Sequence, residues 1–337
     1  MRYLQMMRRF VALVSEPLRC NALFFMFMYV LGCICAWATL PDVRGAHLYK
    51  NLFPELFLDV YMLALVLTLL PRRVRPWVRG IFYFILYVVA LVDVYCFVKF
   101  HSSLTPTMLL LVGETDTREA GEFLRSCVSP DILFSNVGWV VLLMFIHLLV
   151  TLQLRFPHFV PKNWCRLFWS LLDRFGLMFK RVRPVSQWTV FLLLIGSVAS
   201  SSYNKAAFIK LMSGRTIGDV EHTLTEKRHA NLYQPIYRLV FSLYANTLTA
   251  KQVDRLVSRV DKVKVDSCSF RSPNIVLIIG ESYNRHHSAQ YGYSMPTTPR
   301  QQKLEKQGRL VKYTDVVSPW NLTSFVFKHI FSLYTVG

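Results

Sequence analysis

A chain of 337 residues of which 53% are apolar has more hydrophobic side chains than one water-soluble core of that length takes up, so an ordinary soluble domain is excluded and a membrane is required. The formal net charge of +19 does not indicate a nucleic-acid binder. The bases are dispersed over short loops instead of clustering on one exposed module with a recognised motif.

Taken in chain order, five segments are long enough to cross a bilayer as helices of roughly 20 residues: 20–40, 52–70, 77–100, 131–154 and 187–206. Glu55 and Asp59 lie near one end of the second and are expected at the interface, since a carboxylate at mid-bilayer costs about 3 kcal/mol. Asp93 sits deeper in the third, with Lys99 toward its end; a structural partner within the bundle is expected for Asp93, with a functional role as the alternative. Arg2, Arg8, Arg9 and Arg19 precede the first span. Arg72, Arg73, Arg75 and Arg79 fill the second loop, and Arg155, Lys162, Arg166, Arg174, Lys180, Arg181 and Arg183 crowd the fourth. The first and third loops are poorer in base, and the third holds Glu114, Asp116, Glu119 and Glu122. This alternation places the amino terminus in the cytoplasm and everything after residue 206 outside.

The first span is long and lacks a small-residue cleavage site, so it reads as a retained anchor. Of the cysteines, Cys127 and Cys268 fall on the oxidising side and are candidates for a disulfide, whereas Cys20, Cys33, Cys35 and Cys96 belong to spans and Cys165 to a cytoplasmic loop. In that loop Trp164, Leu167, Phe168, Leu171, Leu172 and Phe175 repeat at helical spacing and suggest an interfacial helix. Residues 207–270 read as an amphipathic linker, with Tyr233, Ile236, Leu239, Val240 and Leu243 on one face. Such a helix either packs on its own domain or lies along the outer leaflet.

From residue 271 the text changes to chemistry. The run NIVLII at 274–279 reads as a buried parallel strand ending in Gly280-Glu281-Ser282, and such sheets keep their functional groups at the carboxyl ends of strands. Some forty residues on stands Asn321-Leu322-Thr323. A threonine hydroxyl is a weak acid, but a bound divalent metal lowers that barrier and steadies the developing oxyanion. Gly280-Glu281-Ser282-Tyr283-Asn284 lacks the last glycine of a hydrolase nucleophile elbow, which argues against a Ser282 esterase. His286 and His287 are adjacent, which does not aim both at one metal, and surface or supporting use fits them better. Asn321-Leu322-Thr323 also matches a glycosylation acceptor, a coincidence if the host is bacterial.

The stretches IVLIIGESYNRHHSAQYGYSMPTTPR and SPWNLTSFVFKHIFSL resemble the start of the sulfatase-like catalytic domain of the phosphoethanolamine transferases, membrane enzymes that modify lipid A. The resemblance implies five spans (1–206), a linker (207–270) and the opening units of an alkaline-phosphatase-like α/β domain (271–337), in a bacterial inner membrane with the last part periplasmic. It implies Zn2+ held by Glu281 and Thr323, with Thr323 as nucleophile, its register set by Phe331-Ser332. The donor would be phosphatidylethanolamine, and the acceptor lipid A or another glycolipid. In the third loop relatives have an asparagine, a threonine and a glutamate near the donor head group; Thr115 and Glu119 match, and Leu111 replaces the asparagine. His329 stands where many relatives have a cysteine, so their brace on the nucleophile helix is missing.

Relatives complete the metal site with an Asp-His pair and further histidines well beyond the nucleophile, while fourteen residues follow Thr323 here and supply none. The expectation is a chain truncated at its carboxyl end, inactive in this form and without stoichiometric zinc, because two ligands fall short of the three a catalytic site keeps. Alternatives are a related head-group transferase moving glycerol phosphate and a non-catalytic membrane remnant.

Overall fold

The computed structural model of the chain describes residues 2–114, 118, 121–122, 130–155, 183–260, 274, 276–280, 283–318, 326 and 330. They fall into two compact units, Met1–Val253 and Asp254–Gly337.

The first unit is helical. Its elements are α1 (Arg2–Cys20), α2 (Ala22–Ala38), α3 (Leu52–Leu69), α4 (Arg75–Phe100), α5 (Pro106–Glu114), α6 (Asn136–Arg155), α7 (Arg183–Met212), α8 (Ile217–Thr225) and α9 (Pro235–Val260), whose last turns pass into the second unit. Among the described residues four helices, those beginning with α3, α4, α6 and α7, are long and apolar enough to cross a membrane, and the bent pair of α1 and α2 counts as a fifth if taken as one span. This is compatible with a multi-pass membrane protein. The expected first span, 20–40, is α2 alone and has 17 residues, short of the roughly 20 a bilayer needs. The expected fifth does not stop at 206, since α7 continues to Met212.

Local chemistry sets the helix ends. Pro76 in the first turn of α4 has no N–H to leave orphaned, and His101 ends that helix in the left-handed conformation with its N–H on the Phe97 carbonyl at 2.9 Å. Between α1 and α2 the axis turns by 73°. The buried Asn21 holds that turn, donating from Nδ2 to the Ala64 carbonyl at 3.2 Å and to Thr68 Oγ1 at 3.0 Å. Tyr61 adds a bond to the Val14 carbonyl at 2.9 Å. The bases Arg2, Arg8, Arg9 and Arg19 therefore lie on a helix of their own, all exposed.

The core joins Phe24, Phe27, Met28 and Leu31 of α2 to Leu52, Leu56 and Val60 of α3 and to Val94 of α4. In lipid, tail contacts are as apolar as side-chain contacts, so close packing drives association. Gly32 allows that closeness: a Cβ there would stand 2.5 Å from Leu56 Cδ1 and 3.0 Å from Gln234 Oε1. Gly32→Val is expected to separate α2 from α3 and to destabilise the bundle by about 1–3 kcal/mol, measured by thermal unfolding in detergent. An unchanged midpoint would contradict this packing role.

In the second unit the expected α/β architecture finds no support. Among the described residues no strand forms; residues 274 and 276–280 are without regular structure and exposed, with Val276 at 81% and Ile278 at 86%. Branched apolar residues favour a strand when neighbours take up their N–H and C=O groups and a second layer covers their side chains, and the described residues supply neither. What does form is a compact turn structure over 284–306 that ends in α10 (Pro299–Lys306).

Candidate functional site

All four residues singled out for chemistry, Glu281, Thr323, Thr115 and Glu119, lie outside the described residues, as do Cys127, Cys165, Cys268, His329 and the apolar repeat over 164–175 expected as an interfacial helix. Among the described residues no group of three or more His, Cys, Asp or Glu is placed to hold a metal ion. His286 and His287 are exposed on a short 3-10 turn, His287 against the Tyr293 ring, in line with surface use.

The part of the motif that is described folds on itself. Thr297 Oγ1 accepts from the Ala289 N–H at 3.0 Å and donates to the His287 carbonyl at 2.8 Å, while Thr298 Oγ1 accepts from the Gln290 N–H at 3.0 Å. Gly292 has a φ of 98°, which the turn needs and which other residues resist. Lys312 closes the loop, donating to the Gln290 carbonyl at 2.9 Å and pairing with Glu305 at 3.2 Å. Ser288 and Gln290 are buried in consequence. The TTP hydroxyls thus tie residues 287–290 into one hydrogen-bonded knot, and the Tyr293 N–H joins it through the Ser288 carbonyl at 3.2 Å.

A second constellation stands in the first unit, at the end of the bundle where α2, α4 and α7 finish and α3 begins. Asp93 of α4 is fully buried and pairs with Arg238 of α9, its other oxygen accepting from the Leu104 N–H at 2.9 Å. Arg238 also donates from Nε to the Leu232 carbonyl at 2.9 Å. Asp59 of α3 accepts from Lys205 of α7 at 2.6 Å and from the Tyr233 hydroxyl, and Lys205 also bonds the Tyr237 hydroxyl. Glu55, fully buried, accepts from Tyr49 at 2.7 Å and from Asn204 at 2.9 Å. Asn204 Oδ1 in turn takes the Asn231 N–H at 2.7 Å.

Burial first, then the charge of Asp59, pushes the Tyr233 and Tyr237 phenols well up from the usual range. Burial and the bond to Glu55 do the same to Tyr49. The Tyr233 and Tyr49 hydroxyls accordingly donate to Asp59 and Glu55, and the Tyr237 hydroxyl accepts from Lys205. The network fastens residues 231–238 onto three helices, and α9 extends the attachment by donating from Asn246 to the Pro106 carbonyl at 3.0 Å. The segment that leads into Thr115 and Glu119 is therefore tied at Leu104 and Pro106.

Glu55 and Asp59 were expected at the interface, and Asp93 to find its partner within the bundle. Glu55 is fully enclosed by its protein neighbours, and Asp93 has a structural partner, which comes from α9. Sequence reading missed Asn204, Lys205, Tyr233, Tyr237 and Arg238 as a set. Three carboxylates within apolar runs, two near an end and Asp93 deeper, were the signal, because a buried carboxylate needs a cation or several donors. Comparison of the chain with family models, with curated proteins and with solved structures gave no match.

Proposed function

We propose that this protein is a phosphoethanolamine transferase of the inner membrane, taking its group from phosphatidylethanolamine and passing it to lipid A or a related glycolipid. The observation behind this reading is the text from Gly280 to Pro299 followed by Thr323, at the spacing of that family and after several membrane-length apolar helices. The knot that joins Ser288, Gln290, Thr297 and Thr298 adds support, since it gives the motif's hydroxyls a structural reason to be there.

In the first displacement the Thr323 hydroxyl oxygen forms a bond to the donor's phosphorus, the ester bond to diacylglycerol breaks, and the threonine proton ends on the departing alkoxide. An oxygen of the acceptor phosphate then forms a bond to the same phosphorus, the ester bond to Thr323 breaks, and the threonine oxygen takes up the acceptor phosphate's proton. Glu281 and Thr323 are proposed as two of the at least three protein ligands that zinc would need here, and the metal would supply Lewis acidity at the hydroxyl. Thr115 and Glu119 are proposed to meet the donor's ammonium. The test is mass spectrometry of the protein expressed from its own gene and incubated with labelled phosphatidylethanolamine. A phosphoethanolamine ester on Thr323 is expected, and a stable adduct on another residue overturns the assignment.

The membrane orientation is a separate expectation. Reporter fusions after residues 75, 120, 170 and 260 should read inside, outside, inside and outside, following the distribution of bases. A cytoplasmic signal at 260 would contradict a periplasmic location for the motif.

A further inference from the structure

A groove beside the polar network has no role in the reading so far. It lies between α2, α3 and α4 and is bounded by Phe208 of α7 and the first turns of α9. It encloses about 490 Å3, within the ~300–1,000 Å3 of small-ligand sites. Met28, Leu31, Leu56, Leu63, Phe82 and Leu86 line its length. Met62 and Ile85 on its lip are exposed, so the groove opens outward from the bundle. On the membrane reading that direction is the lipid.

Apart from the Cys35 thiol, the polar lining is Asp59, Gln234 and Tyr237, all at the end of the bundle that carries the network. There the Lys205–Asp59 pair is a quarter exposed on each side chain. An ammonium has three donors and a carboxylate about four acceptor positions. Lys205 uses two of its donors, on Asp59 and Tyr237, and Asp59 uses two acceptor positions, for Lys205 and Tyr233. Each member of the pair therefore keeps capacity for a group of the opposite sign.

We propose that the groove holds one acyl chain of a zwitterionic phospholipid bearing a primary ammonium, with its phosphate on Lys205 and its ammonium on Asp59. An ion pair beside an apolar channel supports this: Asp59 lines the groove, and Lys205 stands on Asp59 and on the lining Tyr237, so a head group at Asp59 meets both charges. A phosphocholine head group lacks N–H donors for Asp59, and a phosphoglycerol head group brings no cation to it. The inference rests on the membrane reading and deepens the proposed transfer by giving the donor's tail a place in the helical bundle.

The test is native mass spectrometry of the full chain in detergent, supplied with palmitoyl-oleoyl phosphatidylethanolamine, phosphatidylcholine or phosphatidylglycerol. One bound phosphatidylethanolamine is expected, preferred by about tenfold over either other lipid, as one charge-assisted contact gives. Met62→Trp combined with Ile85→Trp, both at exposed positions, should fill the groove and remove that lipid. Equal retention of the three lipids, or retention in the double variant, overturns the proposal. A phosphatidylethanolamine with a diazirine in its acyl chain provides a measurement without any substitution: labels should concentrate on Leu63, Leu86 and their neighbours, and an even spread around the bundle overturns it. Because these readouts do not need turnover, bound lipid without a Thr323 adduct would refute the transfer and leave the groove. An adduct with lipid retained in the double variant would do the reverse.

Discussion

Asp93→Ala is expected to destabilise the helical bundle by about 3–5 kcal/mol, the usual cost of removing one partner from a buried ion pair. Asp93 is fully enclosed and Arg238 nearly so, with 15% of its side chain exposed. Alanine would leave a guanidinium without its counter-charge and the Leu104 N–H without its acceptor, a double loss that water reaches poorly. Unfolding in mixed detergent, followed by circular dichroism, measures it. Replacing both partners with apolar residues, Asp93→Leu with Arg238→Met, should recover the part of the loss that comes from the orphaned charge and leave the part that comes from the Leu104 N–H. A double variant as unstable as the single one would mean that the pair also positions α9. In that case the attachment of Asn246 to Pro106 should weaken as well, which proteolysis of the segment after residue 106 would detect.

Thr323→Ala is expected to reduce transfer by roughly 10⁴-fold or more, as loss of a covalent nucleophile does in enzymes that act through one. Turnover of a fluorescent phosphatidylethanolamine by the protein expressed from its own gene measures it. Glu281→Ala should abolish transfer and lower bound zinc together, read by elemental analysis of the purified protein. Thr115→Ala and Glu119→Ala should weaken donor use with zinc unchanged. Zinc loss in either would place these residues at the metal and remove the head-group role. A Thr323→Ala protein that transfers at the original rate would refute the proposed intermediate.

The apolar runs were legible in the sequence, and α3, α4, α6 and α7, long and apolar enough to cross a membrane, lie close to where those runs are. It did not announce the bend at Asn21. Four arginines are scattered among the apolar residues of α1, and only the contacts of Asn21 with Ala64 and Thr68 reveal that the helix is held at an angle. The carboxylates were visible and their partners were not, since Lys205 and Arg238 look like ordinary bases near the end of a span and in a linker. Their role depends on pairing across the fold, which no local pattern records. The run at 274–279 failed for a related reason: its composition suits a strand, yet a strand exists only through its neighbours. Of the proposed chemical site, the motif's hydroxyl knot is described and the two reacting residues lie beyond what is described.

The distances along the chain within the polar network have a consequence for biogenesis. Asp93 meets a partner 145 residues later, Asp59 meets Lys205 after 146 and Tyr233 after 174, and Glu55 meets Asn204 after 149. At the ~5–20 residues per second of synthesis, the helices bearing these acids are made many seconds before the groups that neutralise them. During that interval the acids must stay hydrated, protonated or shielded by the insertion machinery, and α3 and α4 cannot settle into their final packing. Completion of the bundle is thus timed by the emergence of residues 204–238, so a nascent chain arrested before Arg238 should remain open to extraction from the membrane and one arrested well beyond it should not.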